Sequence, residues 1–475
     1  MAAIQLPSPQ QFQLQNKQEA EASEIASQHI DQDDHGCESD CECDAQTESE
    51  TSTVEYEHEP YETFKDKARQ LIVGLFPHSI IEVERLQGGS FNRVIGVSVS
   101  SKTSSKHSRP IKKFFQDCLG IRPNKNERNQ DRQFILRIPR NDVGSVPYET
   151  AILSFIAGRV SFPVPRTLLH DTTDQNALHM PYVLQPRLSG HQLEHIWDSL
   201  NFDQKKGAVR QVTQIIVELS NITSASAGLI SPHNSASDFQ NTVQTETTPV
   251  PEFGVSTLKA GELYTFPAKP QTTYRFIVSQ CERWRAYESR DGEVAWNKIW
   301  DGLIAMASKL HELGFLPDDE VFHFAHQDLV SRNVLVEIRD TTSVHITGVL
   351  DWDLASFAPK FMSCRAPFFF WAEQGTDEDD EDQVHAKGDN EEETEFKKMF
   401  EEMVSPDFLR YAYGEEYILA RRMWPYLRRG IQSQYELERA KELVEDFHNL
   451  HSLGPNVSES LAMERFSQPL DLSSS

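Results

Sequence analysis

Residues 321–355, VFHFAHQDLVSRNVLVEIRDTTSVHITGVLDWDLA, decide the fold. They read as the exit from a helix, a loop of acidic and amide residues, a β-hairpin and a second acidic turn. His326 and Asp328 are followed by Asn333, five positions after the aspartate, and the apolar run 334–338 starts at once. Short runs of this β-branched, apolar kind bounded by turn residues are strand formers. Polar residues 339–343 make the turn, a second apolar run covers 344–350, and it ends on Asp351, Trp352 and Asp353. A tight hairpin therefore returns Asp351 to the neighbourhood of Asp328 and Asn333. Singly, Asp and Asn are ordinary turn residues, because their side chains bond local backbone. The information lies in the joint spacing.

Upstream, residues 80–86 alternate as a strand, residues 93–100 read as its return, and Gly88-Gly89-Ser90-Phe91-Asn92 lies between. Adjacent glycines let backbone N–H groups approach an anion closely, since no Cβ intervenes. Taken alone, the same segment is also an ordinary hairpin turn. Residues 134–139 form a third strand carrying Arg137. Further on, Glu149 opens a helix over 148–156, where it either pairs with Arg137 or simply complements the helix dipole.

The motifs H-x-D-L-x-x-x-N-V-L-V at 326–336 and G-V-L-D-W-D at 348–353 resemble the aminoglycoside phosphotransferase and choline kinase branch of the protein-kinase-like fold, and most of all its fungal members of undefined substrate. The spacing from Asp328 to Asn333 is that of the kinase catalytic loop, and residues 88–92 follow the branch's G-G-x-x-N. The resemblance implies an α+β, two-lobed fold: a small antiparallel β-sheet lobe with one helix, and a larger, mainly helical lobe carrying the catalytic hairpin. It implies an ATP- and Mg²⁺-dependent phosphotransferase acting on a hydroxyl or amine of a small molecule. Asp328 is then the carboxylate that positions the acceptor and takes its proton. His326 belongs to the same catalytic loop and holds it, and Asn333 and Asp351 are the oxygen ligands that Mg²⁺ requires. Gly88, Gly89 and Ser90 would cradle the phosphates, Arg137 braced by Glu149 would contact them, and backbone near Gln185 and Arg187 would face the adenine edge. Asp353 has two readings, reaching a metal-bound water or capping the next turn.

Departures from the pattern narrow the class. Arg137 stands where lysine is usual, and a guanidinium fork binds phosphate differently from a point-like ammonium. Gln327 and Val330 replace the arginine and lysine of the protein-kinase loop, and no A-P-E follows Asp351, which disfavours a protein kinase. The rival reading is a catalytically inactive kinase fold serving as a binding or scaffold protein, motivated by Arg137 and by long charged insertions.

The 475 residues carry 73 acidic against 46 basic side chains, a formal charge of −27, which argues against a nucleic-acid binder. Much of that charge lies in 19–62 and 377–395, runs without apolar period that read as disordered. Cys37, Cys41 and Cys43 cluster near His35, while Cys118, Cys281 and Cys364 are scattered; neither a disulfide framework nor a zinc spacing results. No basic segment leading into an apolar core opens the chain, and no apolar run nears the roughly eighteen residues that span a bilayer. The expectation is a cytoplasmic protein without membrane contact. Its expected organisation is a disordered acidic tail (1–60), a small nucleotide-binding lobe (61–190) with a basic insertion (102–131), a large catalytic lobe (191–455) and a flexible tail (456–475). Within the large lobe, a loop (231–270) and a disordered acidic insertion (376–395) interrupt helices predicted at 203 onward, 274–287, 296–313, 396–413, 415–426 and 435–450.

Overall fold

Alternating apolar residues between 79 and 139 fold into the first layer of the computed structural model, which describes residues 59–86, 88, 92–101, 132–140, 146–234, 244–247, 267–288, 297–372 and 380–452. The acidic tail up to residue 58, the basic insertion 102–131 and the tail 456–475 lie outside the described residues, as do Gly89 and Ser90. The chain divides into two units. The described part of the first, Met1–Lys65 with Thr257–Glu262, is residues 59–65, which begin helix α1 (Tyr61–Leu75). The second, Asp66–Ser256 with Leu263–Ser475, holds both lobes and the site.

The small lobe runs β1 (Ser79–Arg85), β2 (Asn92–Ser101), β3 (Arg132–Pro139), α2 (Val146–Ile156), β4 (Leu169–Asp171) and β5 (Tyr182–Pro186). Its sheet has the order β1-β2-β3-β5-β4, with every neighbouring pair antiparallel. Ile95 pairs with Leu136, and with Val97 and Ile138 they line one buried face, as the period of two requires. The edge strand β4 escapes sequence reading because three residues show no period. Backbone then leaves through the 187–190 linker. At Gly190 (φ +102°) a Cβ would stand 2.8 Å from the Val336 carbonyl oxygen, so only glycine passes there. Thr347 Oγ1 donates to the Ser189 carbonyl at 2.5 Å, tying this linker to the catalytic hairpin.

The large lobe continues with β6 (His191–Gln192), α3 (Leu193–Ile196), α4 (Phe202–Ser220), β7 (Thr223–Ser224), β8 (Leu229–Ile230), β9 (Thr245–Glu246), α5 (Thr273–Glu288) and α6 (Asn297–Glu312). The N-terminus of α4 is fixed by a capping box, Asn201 and Gln204 each accepting from the other's backbone N–H. Next come β10 (Phe322–Ala325), β11 (Val334–Ile338), β12 (Val344–Val349), β13 (Ser356–Ala358) and α7 (Lys360–Ser363). The chain closes with α8 (Glu391–Met403), α9 (Pro406–Tyr413), α10 (Glu415–Arg429) and α11 (Gln434–Ser452). The predicted hairpin is present: β11 and β12 pair antiparallel, and β6 adds to the β11 edge.

Four expectations need correcting. Residues 322–325 are a strand, not a helix exit; β10 pairs with β13 and β7, partners that no local window contains. The single helix expected over 396–413 is two, because Ser405 caps a new helix by accepting from Phe408 N–H, with Pro406 in its first turn. The insertion 376–395 is not disordered over its described part. Residues Asp380–His385 form a 3₁₀ helix and Glu391 already lies in α8. Asn390 caps that helix and Glu391, Glu392 and Glu393 sit at its positive end, while Phe396 and Phe400 are buried. The acidic run is therefore partly a helix start. The expected loop 231–270 likewise contains β9, paired with β8.

Helix α2 of the small lobe packs into the core of the large lobe. Phe155 of α2 packs against Phe324 of β10 (ring centroids 5.3 Å) and Phe357 of β13 (5.8 Å). The helix bearing Glu149 thus sits directly on the strands that carry the catalytic loop.

Candidate active site

Trp352 organises the site. Its side chain is 2% exposed, its indole N–H donates to the Val349 carbonyl at 2.8 Å, and its ring lies stacked on Phe324 and Phe162. With Trp352 buried, its neighbours Asp351 and Asp353 both reach the guanidinium of Arg137 on β3, at 3.3 Å and 2.8 Å. Asp351 has φ +59°, a left-handed conformation that costs a non-glycine residue about 1–3 kcal/mol and persists only where the surroundings impose it.

The Asp328 loop is over-determined in the same way. Gln327 also has positive φ (+68°), and its amide is held at both ends. Nε2 donates to Ser356 Oγ at 2.6 Å, and Oε1 accepts from the Trp424 indole at 2.7 Å. His326 is 3% exposed; Nδ1 accepts from Asp328 N–H at 3.3 Å, so Nε2 carries the proton and donates to the Leu350 carbonyl at 2.9 Å. Burial pushes this imidazole below its ordinary pKa despite the nearby Asp328 carboxylate, which suits the neutral tautomer. His326 thereby ties the Asp328 loop to the residue before Asp351.

A 3₁₀ turn over Ser331–Asn333 folds Asn333 back onto Asp328. Its Nδ2 donates to the Asp328 carbonyl oxygen (2.8 Å) and to Oδ2 (2.9 Å), while Arg332 Nη2 donates to Oδ1 at 2.9 Å. Among the described residues Asn333 Oδ1 accepts no hydrogen bond, while Nδ2 is fully engaged. The Asn333 carbonyl in turn accepts from Leu350 N–H at 2.8 Å. Asn333 is thus bonded to Asp328 by its side chain and to Leu350, the residue before Asp351, by its backbone.

Arg137 is the electrostatic centre. Besides the two aspartates, Glu149 Oε1 lies 3.0 Å from its Nε, an ion pair too poorly aligned to count as a hydrogen bond. Burial opposes the guanidinium charge, but Asp353, Glu149 and Asp351 outweigh it and keep Arg137 protonated. One cation cannot satisfy three carboxylates. Burial lifts Glu149 to a pKa of about 7 against the pull of Arg137, and burial with Asp351 alongside lifts Asp353.

The structure thus brings together Asp328, His326, Asn333, Asp351, Arg137 and Glu149. Gly88 stands at the β1–β2 turn, where a Cβ would lie 2.7 Å from the Asn92 carbonyl oxygen. Gln185 is 4% exposed, and its side-chain Nε2 donates to Glu149 Oε1 at 2.9 Å. Arg187 N–H is already taken by the Gln133 carbonyl. Asp353 pairs with Arg137 and accepts from Asn92 Nδ2 at 2.6 Å. Asn92 was visible as the last residue of the glycine motif, and Arg332 as the cation four positions after Asp328, but nothing local assigns their partners. A further brace comes from outside the motifs. Tyr148, beside Glu149, donates to Glu246 Oε2 at 2.5 Å, and Ser231 donates to Oε1 at 2.6 Å, which fastens α2 to the β8–β9 hairpin.

Comparison with known proteins adds the following. The sequence model of a phosphotransferase enzyme family (APH) matches residues 125–394, more than half of the chain. Two subtelomeric hrmA-associated cluster proteins of Aspergillus fumigatus are 31% identical over 88 residues, 18% of this chain and 17% of theirs. The chain thus matches about a sixth of the length of these curated relatives. Among solved structures, the GDP complex of wild-type aminoglycoside 2'-phosphotransferase-IIIa is 15% identical with a TM-score of 0.42, covering 80% of this chain and 97% of that one. A thermostable mutant of aminoglycoside phosphotransferase APH(4)-Ia, in ternary complex with AMP-PNP and hygromycin B, is 15% identical with a TM-score of 0.41, covering 80% and 98%. Identities this low say nothing of substrate.

Proposed function

The chain belongs to the phosphotransferase enzyme family and has a two-lobed α+β architecture, and from that premise we propose that it transfers the γ-phosphate of ATP, with Mg²⁺, to a hydroxyl of a small molecule. The observation that carries the reading is the single connected constellation of Asp328, Asn333, Asp351 and Arg137.

The donor set fits magnesium. Asn333 Oδ1 and the Asp351 carboxylate are hard oxygens, and the negative charge in excess around Arg137 is what a divalent cation relieves. Among the described residues no group of three or more His, Cys, Asp or Glu is placed to hold a metal alone. That suits an ion which takes few protein ligands and completes its shell with phosphate and water oxygens. When bound, MgATP supplies an electrophilic phosphorus and neutralised phosphate oxygens. The chain's own residues do the rest. Asp328, its two oxygens fixed by Arg332 and Asn333, orients the acceptor hydroxyl and receives its proton. Arg137 steadies phosphate oxygens from the small-lobe side, with Glu149 and Gln185 behind it. His326 and Trp352 keep the two acidic turns in register.

The test is incubation of the full chain with MgATP and a panel of hydroxylated acceptors, followed by mass spectrometry for a single phosphoryl addition. Thermal unfolding with MgATP runs in parallel, since a ligand of the native state raises its melting temperature. Transfer to at least one acceptor is expected, together with stabilisation. Absence of both rejects the reading, and stabilisation without transfer favours a nucleotide-binding scaffold.

A further inference from the structure

A narrow cleft in the large lobe runs under the catalytic loop. Its lining includes the residues on both sides of Asp328, namely His326 and Gln327 before it and Leu329 and Val330 after it. The rest of the lining includes Met362 of α7, Phe368 and Phe369 of the segment after it, and Phe324 of β10. Among the described residues no aspartate or glutamate lines it. Among the described lining residues Arg365 alone carries a permanent charge, and its guanidinium lies 5.5 Å from the ring centroid of Phe368.

That cation is under-neutralised. Arg365 Nε pairs with Glu381 Oε1 at 2.8 Å, but the same buried carboxylate also receives Arg421 Nε at 2.5 Å. Burial works against the Glu381 charge; Arg365 and Arg421 outweigh it and hold the group below its ordinary pKa. Two guanidinium groups thus share one carboxylate. Arg421 spends its remaining donors on the carbonyls of Phe361, Tyr411 and Ala412. Arg365, about one-third exposed (35%), makes no other ion pair or hydrogen bond among the described residues. The surplus positive charge is left at the cleft wall, in apolar surroundings that strengthen its attraction for an anion and its repulsion of a cation.

We infer that this cleft receives the body of the phosphate acceptor, and that the acceptor is a slender aromatic or aliphatic hydroxy acid whose anionic group meets Arg365, not a polycationic amino sugar. The inference rests on Asp328 being the catalytic carboxylate, since the cleft is walled by that residue's neighbours. Leu329, Met362 and Phe369 supply apolar contact, and Arg365 fixes which end of the molecule enters first.

The experiment uses a matched pair with the same ring and hydroxyl but opposite charge, 4-hydroxyphenylacetate and tyramine, with kanamycin as the polycation. Binding to the full chain is read by ligand-observed NMR, and MgATP-dependent phosphorylation by mass spectrometry. The acid is expected to bind at least about tenfold more tightly than the amine, as a charge-assisted contact implies. Arg365→Gln should bring the ratio close to one, and Arg365→Lys should restore most of it. Phe369→Ala should weaken both ligands alike. Preference for tyramine or kanamycin, no binding of the acid, or a ratio untouched by Arg365→Gln overturns the inference. MgATP stabilisation, recorded without acceptor, separates the two claims. If it is absent while the Arg365-dependent preference persists, the cleft stands and phosphotransfer falls; if it is present without that preference, the reverse holds.

Discussion

Asp328→Asn is expected to slow phosphate transfer about a thousandfold while changing MgATP affinity by no more than a factor of about two. Both carboxylate oxygens of Asp328 are already positioned, Oδ1 by Arg332 at 2.9 Å and Oδ2 by Asn333 at 2.9 Å. The group is thus pre-aligned, and its remaining lone pairs point at whatever hydroxyl enters beside it. Asparagine keeps the size and one acceptor oxygen but cannot take a proton at neutral pH. The fold should survive, because the Asp328 side chain is 24% exposed and its ion pair with Arg332 lies at the surface. A loss confined to the turnover rate is the signature of a group acting on the reacting hydroxyl. An equal loss of ATP affinity would instead make Asp328 a nucleotide ligand.

Arg137→Met should cost more in stability than any other change at the site. The guanidinium is only 12% exposed and holds Glu149, Asp351 and Asp353. Removing one partner of a buried ion pair leaves an uncompensated charge, a loss of about 3–5 kcal/mol. The penalty should also depend on pH, and its sign is fixed. Glu149 is held at about 7 in the folded protein, above its value in the unfolded chain. A carboxyl raised by folding contributes stability that is fully present below its unfolded pKa and is lost as pH rises through the folded one. Without Arg137, Glu149 and Asp353 rise further, so this window extends upward. Denaturant unfolding should show the variant most destabilised near about pH 8 and recovering part of the loss near about pH 5. A deficit equal at both values would mean that the carboxylates do not govern the stability of the cluster.

Much of the site could be read locally. The spacing of Asp328 and Asn333 is a single turn, and the turn closes as that spacing requires. The hairpin that returns Asp351 follows from two apolar runs and a polar turn, all contiguous. Arg137 and Glu149 were recognisable as a candidate pair, and they stand 3.0 Å apart. What the sequence hid is non-local. Asn92 and Asp353, 261 positions apart, meet only after the lobes assemble. Strand β10 takes its identity from β7 and β13, not from its own four residues.

Side chains with several possible partners were equally opaque. Gln185 braces Glu149 with its side-chain amide, a contact between positions 36 apart that no local window records. The run around Glu381 looked like solvated charge because its composition is acidic. Its order comes from Arg365 and Arg421, and burying Glu381 between them is a tertiary event that no composition window records.

The central claim is that Asp351 and Asn333 hold magnesium against a nucleotide contacted by Arg137. Calorimetric titration of ATP into the full chain, wild type and Asp351→Ala, with and without Mg²⁺, tests it most directly. Wild type should bind ATP at least about tenfold more tightly when magnesium is present, and Asp351→Ala should lose that difference. Equal affinity with and without magnesium in the wild type, or an undiminished magnesium effect in Asp351→Ala, would contradict the account.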